Sequence, residues 1–212
     1  MALYYPMMVE IKGKPCTVVG GGEVAERKVI TLLEYGAVVT VISPKLTPAL
    51  EKLAKDNKIV HKNKPYTTGD LDGSILAYGV TDDADINKRC KQEANQRQIF
   101  INVGDSRHLS DFILPASINR GSLTITISTE GKSPMLSRKI KEELESIYGE
   151  IYGDLLDILG AIRGKALREI PSIQDRKRLF HHLIYDVDYR KEDPFKIKEK
   201  LWDTYEAFKE GL

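Results

Sequence analysis

Residues 17–28 read TVVGGGEVAERK, three glycines set between a β-branched run and the start of a helical pattern. A strand that breaks into glycine and restarts as a helix is built to bring backbone N–H groups up to an anion. Gly20-x-Gly22-x-x-Ala25 fits the dinucleotide fingerprint in its alanine-ending form. In that pattern Gly20 makes the tight turn and Gly22 lets the backbone approach a pyrophosphate. Ala25 is small enough for close helix–strand packing, and the N–H groups from Gly21 through Glu23 and Val24 face the anion. The flanking residues supply the context the motif requires. Pro15–Val19 reads as a buried strand, and Ala25, Val29, Leu32 and Leu33 recur at helical spacing up to a stop at Gly36. Val38–Ile42 is a second strand.

The rest of the chain continues the alternation. Pro48–Lys55 predicts a short helix, Lys58–Lys62 a short strand and Ser74–Val80 an apolar strand. Asp83 caps a helix carrying Ile86, Cys90 and Ala94, and Ile99–Val103 is one more buried strand. Strands alternating with helices predict an α/β fold with a Rossmann-like, doubly wound parallel sheet. The pattern changes after Asp111. Phe112–Pro115 and the strictly alternating Leu123–Ile127 predict strands with one buried face. Ser133 and Pro134 open a helix carrying Met135, Leu136, Ile140, Leu144 and Ile147. Helices are expected over Ile151–Ile162, Asp175–Tyr185 and Pro194–Lys209, with Gly164 and Pro171 in the first gap. The expected division is a nucleotide-binding domain over 1–113, a small strand–helix module over 114–148 and a helical C-terminal region over 149–212.

Charge and cysteine content narrow the partners. With 32 basic and 31 acidic residues the net charge is +1, which argues against a bulk nucleic-acid or membrane-surface binder. No basic start or sustained apolar run marks a signal peptide, and no stretch reaches membrane-spanning length. Cys16 and Cys90 are the only cysteines. Each falls on the apolar side of an element, so the expectation is two buried thiols in a cytoplasmic protein. His61, His108, His181 and His182 show no ligand spacing, and no metal site is expected.

Ligands of open α/β sheets lie outside the carboxyl ends of the strands. Those ends here are Gly20-Gly21-Gly22, Ser43-Pro44, Thr81-Asp82-Asp83, and Asn102 with Gly104-Asp105. Asp83 suits a helix cap. Thr81 and Asp82 suit either turn roles or cofactor contacts, and Asp105 either a solvated turn or a proton acceptor. The end of the second strand, Ile42-Ser43-Pro44-Lys45, lacks the carboxylate that usually binds ribose hydroxyls. Ser43 can bond a ribose and Lys45 can meet a 2′-phosphate, so the pattern alone leaves NAD and NADP both open. Ser128–Pro134, STEGKSP, is a second glycine loop opening a helix. It is not a P-loop, since Thr126 stands where the first glycine would be. It is either a strand-to-helix turn or a second anion site aided by Lys132.

Taken together, VVGGGEVAERK, TDDADIN, INVGD, DFILPASINRG and ISTEGKSP resemble, in order and spacing, the precorrin-2 dehydrogenases of the sirohaem-synthase family. The resemblance spans about Tyr5 to Glu145. It implies NAD-dependent oxidation of precorrin-2 to sirohydrochlorin by a homodimer, with Asp105 as the principal catalytic residue. It also implies cofactor contacts from Gly20 to Ala25 and from Ser43, Pro44, Thr81, Asp82 and Asn102. Ser128, Thr129 and Gly131 would stand at the substrate, with Thr129 where the family has serine. The substrate is rich in carboxylates, and Arg107, Arg120, Lys132 and Arg138 are the cations expected near it. Some family members also insert iron, which makes a bifunctional dehydrogenase and ferrochelatase the alternative within the enzyme class. A regulatory module that senses NAD is the alternative outside it. Such a module would need the glycine loop but neither Asp105 nor the STEGKSP loop.

Overall fold

The computed structural model describes residues 4–104, 106–186, 189 and 194–212, without the side chains of 194 and 195. Two compact units divide the chain, Met1–Leu114 and Pro115–Leu212.

The first unit is built on five parallel strands: β1 (Pro15–Val19), β2 (Val38–Ile42), β3 (Val60–Lys62), β4 (Leu76–Gly79) and β5 (Phe100–Val103). Their order across the sheet is β3-β2-β1-β4-β5. The strand order reverses beside β1, which places the glycine loop at the switch point between β1 and β4. Period-2 alternation sends side chains to opposite faces. Cys16, Val18, Val39, Val41 and Tyr78 pack against α1 (Glu23–Glu34) and α2 (Pro48–Lys55). Val19, Ile42, Ala77, Ile101 and Val103 pack against Cys90 and Ala94 of α3 (Ala84–Arg97). Both thiols are free and buried. β3, β4 and β5 are each shorter than expected, although Ile75 N and Val80 N at the two ends of β4 still donate to the Pro15 and Val19 carbonyls.

Between β3 and β4 the chain crosses to the α3 face without a helix. The crossover is held instead by Glu93, whose carboxylate is 2% exposed as a residue. One oxygen accepts from the backbone N–H groups of Gly69 (3.0 Å) and Leu71 (3.2 Å), and the other from the Tyr66 hydroxyl at 2.5 Å. Arg97 Nε, one turn on, lies 3.1 Å away and balances the charge. A buried carboxylate is tolerable only with this degree of satisfaction. Asp70 closes the same segment by accepting from the Thr67 N–H and pairing with Lys64 at 2.8 Å.

The second unit begins with an antiparallel pair, β6 (Ala116–Arg120) and β7 (Leu123–Ile127). Arg120 faces Leu123 across a two-residue turn, with Gly121 at φ +54°, the positive φ such hairpins need. The first strand thus starts after Pro115, whereas Phe112 turns inward to meet the Tyr78 ring edge-on at 5.6 Å. Helix α4 (Pro134–Ile147) follows, with Ser133 accepting from Leu136 N and Pro134 at its first position. Then come α5 (Ile151–Glu169), α6 (Ile173–Tyr185) and α7 (Pro194–Glu210). Their shared core includes Leu155, Ile162, Ala166, Leu179, Leu183, Ile197, Leu201 and Tyr205. Gly164 does not end α5. The cost of a helical glycine, about 1 kcal/mol, is outweighed by burial of Ile162, Ala166 and Ile170 on either side. Helix α5 also touches the hairpin: a Cβ on Gly121 would lie 3.0 Å from Gly153 Cα. The hairpin and this helix therefore pack backbone to backbone.

Candidate functional site: the cleft at the glycine loop

The carboxyl ends of β1, β2 and β4 surround a cleft of about 580 Å³. Each of the three glycines solves a different steric problem. Gly20, at φ +127°, turns the chain where a Cβ would sit 2.6 Å from the Val80 carbonyl oxygen. Gly21 faces the loop after β2, and a Cβ there would overlap the Lys45 carbonyl and approach Ser43 Oγ to 2.7 Å. Gly22 has nothing within 4 Å of its would-be Cβ. It is the N-cap of α1, and no side chain caps that end. The first-turn N–H groups of the helix thus have no capping side chain, and the positive end of the macrodipole lies at this wall of the cleft. A pyrophosphate fits this cradle, and Ala25, fully buried, seats the helix on the sheet.

A second set of bonds fixes the opposite wall. Thr47 N donates to the Gly21 carbonyl (3.0 Å), and Thr47 Oγ1 donates to Glu26 (2.5 Å), turning that carboxylate towards the loop. Ser43 Oγ donates to the Lys45 carbonyl at 2.6 Å and accepts from Lys45 N at 3.3 Å. The Ser43 hydroxyl, expected as a ribose ligand, is thus engaged in shaping the turn. Past this turn lies an adjoining cavity of about 540 Å³, with Lys45, Lys55, Glu51 and His61 in its walls. His61 Nε2 is 2.9 Å from the Ser43 carbonyl oxygen. Tyr66 supplies part of the cleft floor. Burial first, and its bond to Glu93 second, push its hydroxyl pKa far above the ordinary tyrosine value, so it stays a neutral donor.

The expected site residues divide clearly. Gly20 to Val24, Ser43, Pro44, Thr81 and Asp82 line the cleft together. Asn102 does not; it is 9% exposed, and its amide donates to the Phe112 carbonyl at 3.0 Å. Asp83 caps α3 by accepting from Asp85 N (2.8 Å) and Ile86 N (3.1 Å). Asp105 lies outside the described residues.

In the second unit, Glu130 (φ +52°) and Gly131 (φ +74°) carry the STEGKSP loop through the left-handed region. Ser128 Oγ accepts from Glu130 N, and Thr129 Oγ1 bonds the Ser133 carbonyl and Ser137 Oγ, each at 3.0 Å. Arg120 Nε donates to the Tyr148 carbonyl (3.1 Å) and pairs with Glu150 (3.2 Å). Arg138 pairs with Glu142 on its own helix at 2.9 Å. Lys132 is exposed. Arg107 lies over the Tyr4 ring at 5.4 Å. Among the described residues no three histidine, cysteine or carboxylate groups form a metal-binding cluster, and no helix is long and apolar enough to cross a membrane.

Two contributors were not legible as site residues. Thr47 lines the cleft itself and also bonds Gly21 across 26 positions of sequence, whereas Asn87 reaches the cleft through Thr81, 6 positions away. The hints for Asn87 were its place as the last residue of TDDADIN and its position in the first turns of α3, where side chains lean back towards the helix start.

Comparison with known proteins agrees with this geometry. A family model of NAD(P)-binding domains matches residues 7–116, and the model for the central segment of sirohaem biosynthesis proteins matches residues 120–147. The siroheme synthase of Ruthia magnifica subsp. Calyptogena magnifica is 36% identical over 200 residues, covering 94% of this chain and 42% of that protein. Siroheme synthase 2 of Aeromonas hydrophila subsp. hydrophila is 39% identical over 177 residues, covering 84% and 37%. The chain thus spans about two fifths of the length of these curated relatives. Among solved structures, SirC, a precorrin-2 dehydrogenase, superposes with a TM-score of 0.81 at 28% identity, covering 96% of this chain and 100% of that one. With the open glycine cradle at its switch point and both segments matched in order, the chain belongs to the NAD(P)-binding family of the sirohaem-biosynthesis proteins.

Proposed function

We propose that the protein is an NAD-dependent precorrin-2 dehydrogenase that forms sirohydrochlorin. The observation that carries the reading is likeness to SirC along the whole of both chains, 96% and 100%, rather than over the nucleotide-binding part alone. The reaction removes a hydride and a proton from the tetrapyrrole. NAD supplies the hydride acceptor when bound. The protein's part is to hold the cofactor and to deal with the proton.

Gly22 and the α1 N–H groups would hold the pyrophosphate, with Thr81 and Asp82 at the far wall. The lack of a carboxylate after β2 suits this proposal because the family it resembles uses NAD without one. Asp105 is proposed as the proton acceptor, at the end of the INVGD motif. Lys132 is the cation proposed first for a substrate carboxylate, since Arg120 and Arg138 already hold Glu150 and Glu142.

A homodimer working in the cytoplasm completes the proposal. The two-stranded β6–β7 sheet is small for an independent structure, and Met135 and Leu136 at the start of α4 are 75% and 47% exposed. Light scattering should find two chains per particle, and a fully active monomer at assay concentration would refute the assembly.

Incubation with NAD and precorrin-2, followed by visible absorbance and by NADH formation, tests the activity. Oxidation of the tetrapyrrole with matching NADH is expected. Tight NAD binding without any spectral change would instead favour a nucleotide-sensing module.

A further inference from the structure

Asn87, the last residue of TDDADIN, directs every polar atom of its side chain at a single residue. Its Oδ1 accepts from Thr81 N (3.2 Å) and from Thr81 Oγ1 (3.0 Å). Its Nδ2 donates to the Thr81 carbonyl at 2.8 Å. Thr81 sits where β4 has run out of partners. The last ladder bond on that side is Val80 N to the Val19 carbonyl at 2.9 Å. Beyond it β1 turns away as Gly20, which passes so close that a Cβ would meet Val80 O at 2.6 Å. The Thr81 peptide groups, in a half-buried residue, therefore stand at a sheet end with no strand to receive them.

We infer that Asn87 is a positioning residue for the cofactor: its amide pairs with Thr81 as a neighbouring strand would, and so holds the Thr81–Asp83 wall of the cleft in its binding shape. The inference rests on the reading of this cleft as the NAD(P) site. Three features support a role in positioning beyond ordinary helix capping. The cap of α3 is already provided by Asp83, so Asn87 is not needed to start the helix. Its side chain spends both donor and acceptor capacity on backbone atoms of a cleft-lining residue. The Thr81 hydroxyl shares its one proton between Asn87 Oδ1 and the Asp83 carbonyl, each at 3.0 Å, which extends the same restraint across Asp82 to the cap.

Substitution separates the possibilities. Asn87→Ala removes all the contacts. Asn87→Asp is close in size and retains an acceptor for Thr81 N, but at neutral pH it cannot donate to the Thr81 carbonyl. Calorimetric titration of NAD should give a dissociation constant raised about tenfold or more for each, the scale of a lost hydrogen bond. The binding stoichiometry should stay that of the wild type, which separates a weakened site from a smaller folded fraction. Amide hydrogen exchange should speed up at Thr81 in Asn87→Ala, which removes the acceptor for that N–H, while β1 and β5 keep their protection. Should Asn87→Ala fail to fold, Asn87→Asp carries the test alone. Unchanged NAD affinity in a folded variant would overturn the inference, as would a loss seen only in stoichiometry. Gly22→Val, measured beside them, distinguishes this from failure of the cleft reading. If Gly22→Val abolishes binding and the Asn87 variants do not weaken it, only the positioning role falls. If Gly22→Val binds NAD normally, the cleft itself has been misread.

Discussion

Gly21→Ala and Gly22→Val alter adjacent residues of one loop, yet they should fail in opposite ways. At Gly21 the added carbon overlaps the Lys45 carbonyl and comes within 2.7 Å of Ser43 Oγ and 2.9 Å of Ser43 Cβ. The loop after β2 must retreat. In doing so it strains the Ser43–Lys45 bond (2.6 Å) and the Thr47–Gly21 bond (3.0 Å). Two such bonds are worth about 0.5–1.5 kcal/mol each, and overpacking adds about 1–3 kcal/mol. A central value of about 4 kcal/mol lowers Tm by about 8–16 °C in a chain of this length. At Gly22 the backbone is extended, with φ −84° and ψ −172°, a region open to valine, and nothing lies within 4 Å of the new Cβ. Gly22→Val should melt within a few degrees of the wild type and lose NAD binding, because its methyl groups occupy the pyrophosphate cradle. Differential scanning calorimetry and NAD titration on both variants check the pair. Wild-type Tm for Gly21→Ala would refute the steric reasoning, and wild-type NAD affinity for Gly22→Val would refute the cradle.

Glu93→Ala strands the Gly69 and Leu71 N–H groups and the Tyr66 hydroxyl. It should cost about 3–5 kcal/mol in urea unfolding; a loss below about 1 kcal/mol would show that the crossover is held by other contacts. Burial raises Cys16 from the ordinary thiol value of 9.0 to about 11 and Cys90 to about 12. Both should therefore resist a thiol reagent at pH 8 in the native state and react in urea. Because the folded-state values are raised, their contribution to stability is complete below pH 9.0 and is lost as pH rises through about 11 to 12. Cys16→Ala should flatten that alkaline decline, and an unchanged decline would contradict it. Asp105→Asn should lower turnover about a hundredfold with NAD affinity little changed. Normal turnover at saturating precorrin-2 would move the proton acceptor elsewhere, with Asp82 and His108 next to be tested.

What the sequence by itself determined was whatever depends on neighbours along the chain. Strand, glycines and helix from Pro15 to Glu34 follow from local steric and periodic rules. So do the caps at Asp83 and Ser133, whose side chains reach N–H groups two or three residues ahead. Gly22 was legible for the same reason, since its role is to leave space. Tertiary structure alone decided the roles that need a distant partner. The requirement for glycine at position 21 comes from Lys45, which the fold brings against it. The bond from the Ser43 hydroxyl to the Lys45 carbonyl likewise exists only once the turn after β2 has closed at the cleft. Glu93, an ordinary polar helix residue in the one-dimensional pattern, became the fastening of a helix-free crossover because residues 66–71 fold down onto α3. Helix α5 ran through Gly164 because side chains from α6 and α7 bury its flanks, a gain no local propensity records. Backbone preference acts over a few residues, whereas burial and hydrogen-bond completion are settled only once the strands have found their order.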